Sequence, residues 1–470
     1  MRIKSTFQFT TFLVVTTFCT ISDAATNLVI FVADDMGWGD VGYHGSEIRT
    51  PAIDQLAAEG VALERFYVHP ACSPTRGALM TGRSPLNTGV LIPFEPWFST
   101  GLPLDEKLLP EFLSDAGYQT FAVGKWHLGP NRLPYLPTSR GFDHFYGHLG
   151  GFINYEEHTY WRGIDWQRNG KTVIEEGYST NLIADEAVRL IKSRDKDEPL
   201  FLFVSFNAPH SPLQAPLSAV AEYADIRDPH RRTYAAMVSE MDRGIGRVLS
   251  TLDAEGLDDN TLVMFMSDNG GSTRLGANNG ALRGGKVTTW EGGIRVPAVL
   301  RWPGRINAGS KFAEMITVED ILPTLVNALD IRADWPNPLD GINQWMAITE
   351  NQLSEDRLRI LAMHDRQIYR AAVFEGGWKL VQMSDGEGDP LPPQLFRIGD
   401  DPNERNDMAA DHPDIVESML SHVVLGRDVK IVGIDDETVP TRLGLGGPAS
   451  ALPDNRPPAR EPYAESTLPE

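Results

Sequence analysis

The sequence predicts an α/β protein: a mostly parallel sheet between layers of helices, followed by a smaller antiparallel sheet. Two observations carry that expectation. Short apolar runs each end in a polar cluster, and amphipathic helical patterns lie between them. In the last quarter the alternation stops and short strands follow one another directly. The 470 residues suffice for one large domain and a smaller one. Hydrophobic residues at 41% and charged residues at 23% exclude a mostly disordered chain.

In chain order, Leu28 to Val32 leads into Asp34-Asp35, and Thr120 to Val123 leads into Gly124-Lys125-Trp126-His127. Leu200 to Ser205 leads into Asn207-Ala208-Pro209-His210, and Leu262 to Met266 leads into Ser267-Asp268-Asn269-Gly270. Continuous apolar runs of this kind are strands buried on both faces. Thr50-Pro51 is expected to cap a helix ending at Gly60, and a second helix is expected from Asp105 to Ala116. Others are expected over Ser179 to Lys192 and Thr233 to Leu252. Pro74 is placed to open a further helix, which sets Cys72 at its positive end. Past about residue 345, Arg357 to Met363, Tyr369 to Glu375 and Trp378 to Met383 are expected as strands, the last two forming a hairpin around Gly376-Gly377. A helix is expected over Pro413 to Val424.

Residues 1–24 have the layout of a secretory signal peptide: Arg2 and Lys4, an apolar run from Phe12 to Ile21, then Ser22 and Ala24. No later segment offers the ~20 apolar residues of a membrane span, so an exported protein, periplasmic or secreted and without a stable membrane anchor, is expected. Cleavage removes Cys19 and leaves Cys72 without a disulfide partner. The expected organisation is a catalytic domain over 25–345, an antiparallel-sheet subdomain over 346–445 and a loosely ordered Pro-rich tail over 446–470. A net charge of -22 argues against a nucleic-acid partner. An anionic partner must be drawn in by a local basic cluster, because the global field repels it.

In doubly wound folds ligands bind at the carboxyl ends of the strands, where all four polar clusters lie. Asp34, Asp35, Asp268 and Asn269 bring hard oxygen donors from two strand ends, a set suited to Ca²⁺ or Mg²⁺. His144 and His148 share a helical spacing but lack a third ligand and are expected to be structural. Gly37-Trp-Gly-Asp-Val-Gly42 matches a dinucleotide fingerprint, yet the preceding carboxylates would repel a pyrophosphate, so these glycines are expected to form turns. Tyr155, His158, Tyr160, Trp161 and Trp166 fit either a sugar-stacking rim or a packed lobe.

The segment Ala71-Cys72-Ser73-Pro74-Thr75-Arg76 through Leu79-Met80-Thr81-Gly82-Arg83 resembles the signature of the type I, formylglycine-dependent sulfatases. Asp34-Asp35, Val123-Gly-Lys-Trp-His127, Ser267-Asp-Asn-Gly270 and Leu282-Arg-Gly-Gly-Lys286 extend the resemblance, which covers roughly residues 26 to 430. Within the family, Pro103 to Pro110 and Leu136 to Asp143 look most like arylsulfatase B, the N-acetylgalactosamine 4-sulfatase.

The resemblance implies an alkaline-phosphatase-like α/β/α sandwich and a sulfuric ester hydrolase acting on a sulfated carbohydrate. It implies that a maturation enzyme converts Cys72 to formylglycine (3-oxoalanine). One Ca²⁺ would be held by Asp34, Asp35, Asp268, Asn269 and the group at position 72. Arg76, Lys125 and Lys286 would neutralise the sulfuryl group, His210 would protonate the departing sugar oxygen, and His127 would act as the later base. Two other readings compete: a phosphoester hydrolase of the same fold, and an inactive sulfoglycan-binding protein.

Overall fold

The computed structural model describes residues 26–434 except 162, 351, 354–355, 365–367 and 424–429. The expected signal peptide and tail lie outside the described residues. No helix among the described residues is long and apolar enough to cross a membrane.

Among the described residues ten strands form the central sheet, in the order Ser310–Phe312, Val61–Leu63, Ala298–Arg301, Thr261–Ser267, Asn27–Ala33, Leu200–Ser205, Gln119–Lys125, His144–His148, Gln167–Arg168, Lys171–Thr172. The strands from Thr261–Ser267 to His144–His148 run parallel, and antiparallel pairings flank them on both sides. Asn27–Ala33 is wholly buried and pairs with Leu200–Ser205 on one side and Thr261–Ser267 on the other. Its side chains alternate between two cores. Leu28, Ile30 and Val32 join one core with Leu79 and Met80 of the helix Cys72–Thr81 and Leu322 of the helix Ile321–Ala328. Val29, Phe31 and Ala33 join the other, with Ile53 of the helix Pro51–Glu59, Ile183 of Ser179–Ser193 and Val238 of Pro229–Ala254. The fold is therefore an α/β/α sandwich, as expected. Each fully buried aliphatic or Phe side chain contributes about 1.5–3 kcal/mol to holding the layers together.

Several elements differ from expectation for identifiable reasons. The helix expected from Asp105 begins only at Leu109 and runs to Asp115. Pro110 lacks a donor N–H and fits only the first turn, so the segment before it cannot continue the helix. Thr50 precedes Pro51–Glu59 but makes no cap hydrogen bond; its hydroxyl donates to Asp54 Oδ1 (3.1 Å). Asp242 caps this helix from outside, accepting from the amides of Ala52 (3.1 Å) and Ile53 (2.9 Å). Gly37 sits where a Cβ would lie 2.4 Å from the Asn278 carbonyl oxygen, so close backbone approach adds to the turn role expected of it.

The second sheet is antiparallel, in the order Arg359–His364, Tyr369–Glu375, Trp378–Met383, Gln394–Arg397. Gly376 and Gly377 turn its hairpin with φ of 58° and 76°, a conformation cheap only for glycine. The strand Gln394–Arg397 was not anticipated, and the final helix, Pro413–Leu420, is shorter than expected. Leu361, Ala372 and Phe374 pack on Tyr67, Ile294 and Met315, which fastens this sheet to the catalytic layers.

Candidate active site

Strand ends and one helix start build the site. Asp34 and Asp35 follow Asn27–Ala33, and Asp268 and Asn269 follow Thr261–Ser267, the next strand in the sheet. Lys125 is the last residue of Gln119–Lys125, and His127 lies two residues on. Asn207 to His210 follow Leu200–Ser205. Cys72 is the first residue of the wholly buried helix Cys72–Thr81 and has no disulfide partner. Lys286 comes from the loop after Thr261–Ser267, where its amide donates to the Gly271 carbonyl (3.2 Å) and the Val287 amide to that of Pro70 (2.8 Å).

The charges interlock. Arg76 Nε and Nη2 donate to Asp268 Oδ2 (3.0 and 2.8 Å), and its Nη1 donates to the Lys125 carbonyl (3.1 Å) and Ser205 Oγ (2.6 Å). Lys125 Nζ donates to Asp34 Oδ2 (2.7 Å), a pair with no exposure. Lys286 Nζ lies 2.8 Å from both Asp35 oxygens. Asn269 Nδ2 donates to Asp35 Oδ1 (2.7 Å), and the Asp35 amide to Asp268 Oδ1 (3.2 Å). Asp35 and His127 hold left-handed backbone, φ 67° and 57°, a strain that collects at functional positions.

The two aspartates are driven apart in acidity. Burial pushes Asp34 up to about 8 despite Lys125. Burial also acts against Asp35, but Lys286 and His210 hold its carboxyl below the usual range. Burial works against charge on Lys286 as well, yet Asp35 keeps it well above the ordinary lysine value. The Cys72 thiol is pushed up by burial against the pull of Lys125 and Lys286.

The oxygen donors fit a hard cation. Asp34 Oδ1 and Asn269 Oδ1 are buried without a hydrogen-bond partner, a costly state that a bound ion relieves. One donor atom each from Asp34, Asp35 and His210 lies within 4.8 Å of the others. The donor set is otherwise oxygen, which suits Ca²⁺ better than Zn²⁺.

Both histidines present one nitrogen inward. His127 Nε2 lies 2.9 Å from the Phe94 carbonyl, while its Nδ1 is buried and unpaired. Burial, then Lys125 and Arg76, hold His127 well below the ordinary histidine value. His210 Nδ1 lies 2.7 Å from the Ser211 carbonyl, its Nε2 lies 3.6 Å from Asp35 Oδ2, and its ring stacks on Phe152. Burial and Lys286 lower it to about 4.

All ten residues singled out in the sequence thus converge. Others carried no signal of their own: Ser205 and the Phe94 carbonyl act through contacts that depend on distant chain segments. His144 and His148 lie on a strand, not a helix. His144 meets Glu186 (2.8 Å), as a structural histidine does, whereas His148 Nε2 is buried and unpaired and feels the charges of Lys125 and Arg76. Of the aromatic stretch, Tyr155, His158, Tyr160 and Trp166 are buried packing residues and Trp161 is 51% exposed, so a rim survives there alone.

The family model described as Sulfatase matches residues 26–331. The chain belongs to the sulfatase family. This sulfatase is 36% identical to arylsulfatase J of Mus musculus over 451 residues, covering 84% of this chain and 74% of that one. It is 34% identical to N-acetylgalactosamine-6-sulfatase of Homo sapiens over 359 residues, covering 70% and 67%. Its structure is similar to that of Ps i-CgsB in complex with k-i-k-neocarrahexaose, with TM-score 0.79, 35% identity and coverage of 84% and 91%. The sulfatase is a hydrolase of sulfuric esters, and the large parallel sheet with its small antiparallel companion is the fold of its family.

Proposed function

We propose that the protein is an exported sulfatase that hydrolyses sulfate esters of a poly- or oligosaccharide, using a formylglycine made from Cys72 by a maturation enzyme. The seat of Cys72 carries this reading: a buried first residue of a helix, facing Lys125 and Lys286, with its thiol pushed up by burial. Cys72 has no disulfide partner among the described residues and feels the charges of Lys125, Lys286, Asp268 and Asp34, the place at which the resemblance implies a group made from the cysteine. The carbohydrate is supported by the relative named N-acetylgalactosamine-6-sulfatase and by the similar structure's neocarrahexaose, which favours a galactan-type substrate.

Asp34, Asp35, Asp268 and Asn269 would hold Ca²⁺ together with the group at position 72. Bound there, the ion supplies positive charge for sulfate oxygens, and formylglycine supplies, as its hydrate, the hydroxyl nucleophile. Arg76, Lys125 and Lys286 neutralise charge that builds on the sulfuryl group, and their ion pairs hold them in position beforehand. His210 delivers a proton from Nε2 to the departing sugar oxygen, its Nδ1 being committed to Ser211. An anionic ester beside that ring raises its low proton affinity. His127 takes a proton at Nδ1 later in the cycle, its Nε2 being committed to Phe94.

Two measurements test the nucleophile. Cys72→Ala should abolish sulfate release while leaving a folded protein with a cooperative thermal melt. The Cys72 peptide of the active enzyme should weigh about 18 Da less than its thiol form. Activity within about tenfold of the parent in Cys72→Ala overturns the covalent reading.

A further inference from the structure

Ser73 sits between the nucleophile position and Pro74, and the chemistry proposed above gives it no role. It is the second residue of the helix Cys72–Thr81 and has no exposure. Its hydroxyl donates to the His127 carbonyl (2.9 Å) and accepts from the Phe94 amide (3.0 Å). The Phe94 carbonyl in turn lies 2.9 Å from His127 Nε2. Phe94 and His127 stand 21 and 54 residues along the chain from Ser73, and the three close a ring of hydrogen bonds.

Chemistry fixes the direction of each bond. An amide only donates, so Ser73 Oγ accepts from Phe94 and gives its own proton to the His127 carbonyl. A carbonyl only accepts, so a neutral His127 ring carries its proton at Nε2 and its lone pair at Nδ1, the buried atom without a partner. The rest of the seat is equally closed. The His127 amide donates to the Leu149 carbonyl (3.1 Å), and a Cβ at Gly151 would lie 2.8 Å from His127 Cε1. The left-handed backbone of His127, φ 57°, persists only where its surroundings impose it, and Ser73 holds the carbonyl of that residue.

We infer that Ser73 is a positioning residue for His127: by holding the His127 carbonyl and the Phe94 amide together, it keeps the Phe94 carbonyl on Nε2 and so presents Nδ1 as the base. The inference rests on the reading of His127 as the later base and deepens it. One turn of helix then carries both the nucleophile position and the support of the group that acts on it last. Thr75, another buried hydroxyl of that turn, serves elsewhere: it accepts from the His69 amide (3.0 Å) and donates to the His69 carbonyl (3.1 Å).

The first readout, imidazole nitrogen-15 NMR of the full chain, needs neither substrate nor conversion of Cys72. The parent should show His127 with its proton at Nε2, and Ser73→Ala should show a mixture of both tautomers, with a thermal melt to check that it folds. Ser73→Thr, which keeps a hydroxyl, should keep the Nε2 form, and Thr75→Val should leave His127 unchanged. The second readout is kinetic, counted per converted Cys72. Ser73→Ala should leave the first desulfation within about threefold of the parent and slow steady-state sulfate release about tenfold or more, with sugar and aryl esters alike. Adding Ser73→Ala to His127→Ala should cost nothing further. A parent spectrum with the proton at Nδ1, an unchanged tautomer in Ser73→Ala, equal losses in the two kinetic phases, or additive losses in the double variant each overturn the positioning role and leave the sulfatase reading standing. Sulfate release at the parent rate in His127→Ala overturns instead the reading of His127 as the base.

Discussion

His127 and His210 are of one residue type and each has one ring nitrogen against a backbone carbonyl, Nε2 in His127 and Nδ1 in His210, and the proposed mechanism gives them different tasks. A sugar alkoxide leaves poorly without a proton, whereas a nitrophenolate departs unaided. His210→Ala should therefore depress turnover of a sulfated oligosaccharide about a hundredfold more than turnover of 4-nitrophenyl sulfate. His127→Ala should allow the first desulfation and then trap sulfate on the enzyme with either ester. Burst kinetics on both variants check this. Equal losses on the two esters in His210→Ala would move the acid role elsewhere, with Lys286 the next candidate. Trapping in the His210 variant and none in the His127 variant would exchange the two histidines.

Among elements, the joints between segments carry buried charge. Lys379 of the strand Trp378–Met383 meets Glu291 (2.9 Å) and Glu404 (2.7 Å) with no exposure of any of the three, and Tyr67 also donates to Glu291 (2.7 Å). Removing one member of a buried ion cluster strands the others, at a cost of about 3–5 kcal/mol. Lys379→Met should lower stability by that amount in urea unfolding, and adding Glu404→Gln should restore part of it. Asp242 is a second joint, the external cap of Pro51–Glu59. Burial raises its carboxyl to about 7, so the folded chain retains a proton there that the unfolded chain has released. The sign follows: this group's contribution to stability is greatest at the acid end and falls as pH rises from about 4 to 7. Asp242→Asn should flatten that part of the stability-against-pH curve, as read by thermal melts across the range.

Taken as one body, the chain carries a net charge of -22 and must still bind an anion. The solution is local: Arg76, Lys125 and Lys286 are gathered in one pocket, and their partners are the very carboxylates expected to bind the cation. Asp34 Oδ1 and Asn269 Oδ1 are buried and unpaired there, a cost that a bound cation would relieve. Chelation followed by dialysis should abolish sulfate release and lower the melting temperature. Ca²⁺ should restore both better than Zn²⁺, as oxygen donors prefer the harder cation. Restoration by zinc alone would count against the oxygen set.

What could be read directly from the residues was periodic or consecutive. Runs such as Leu28 to Val32 announced buried strands because a strand covered on both faces must be apolar throughout. Their trailing Asp34-Asp35, Lys125 and Asp268-Asn269 announced a site because parallel strands deliver all their carboxyl ends to one edge. The contiguous Cys72-Ser-Pro-Thr-Arg76 resembled its family on its own. Folding settled what depends on residues far apart in the chain. Asp242 takes over the cap expected of Thr50, across 190 residues. The carbonyl of Phe94 chooses which nitrogen of His127 faces inward, and Tyr155 and Trp166, chemically fit for a sugar, are consumed by packing while Trp161 is left outside. A linear pattern records which side chains are apolar or charged, but burial, hydrogen-bond partners and acidity belong to pairs of groups, and those pairs exist only once the chain has closed on itself.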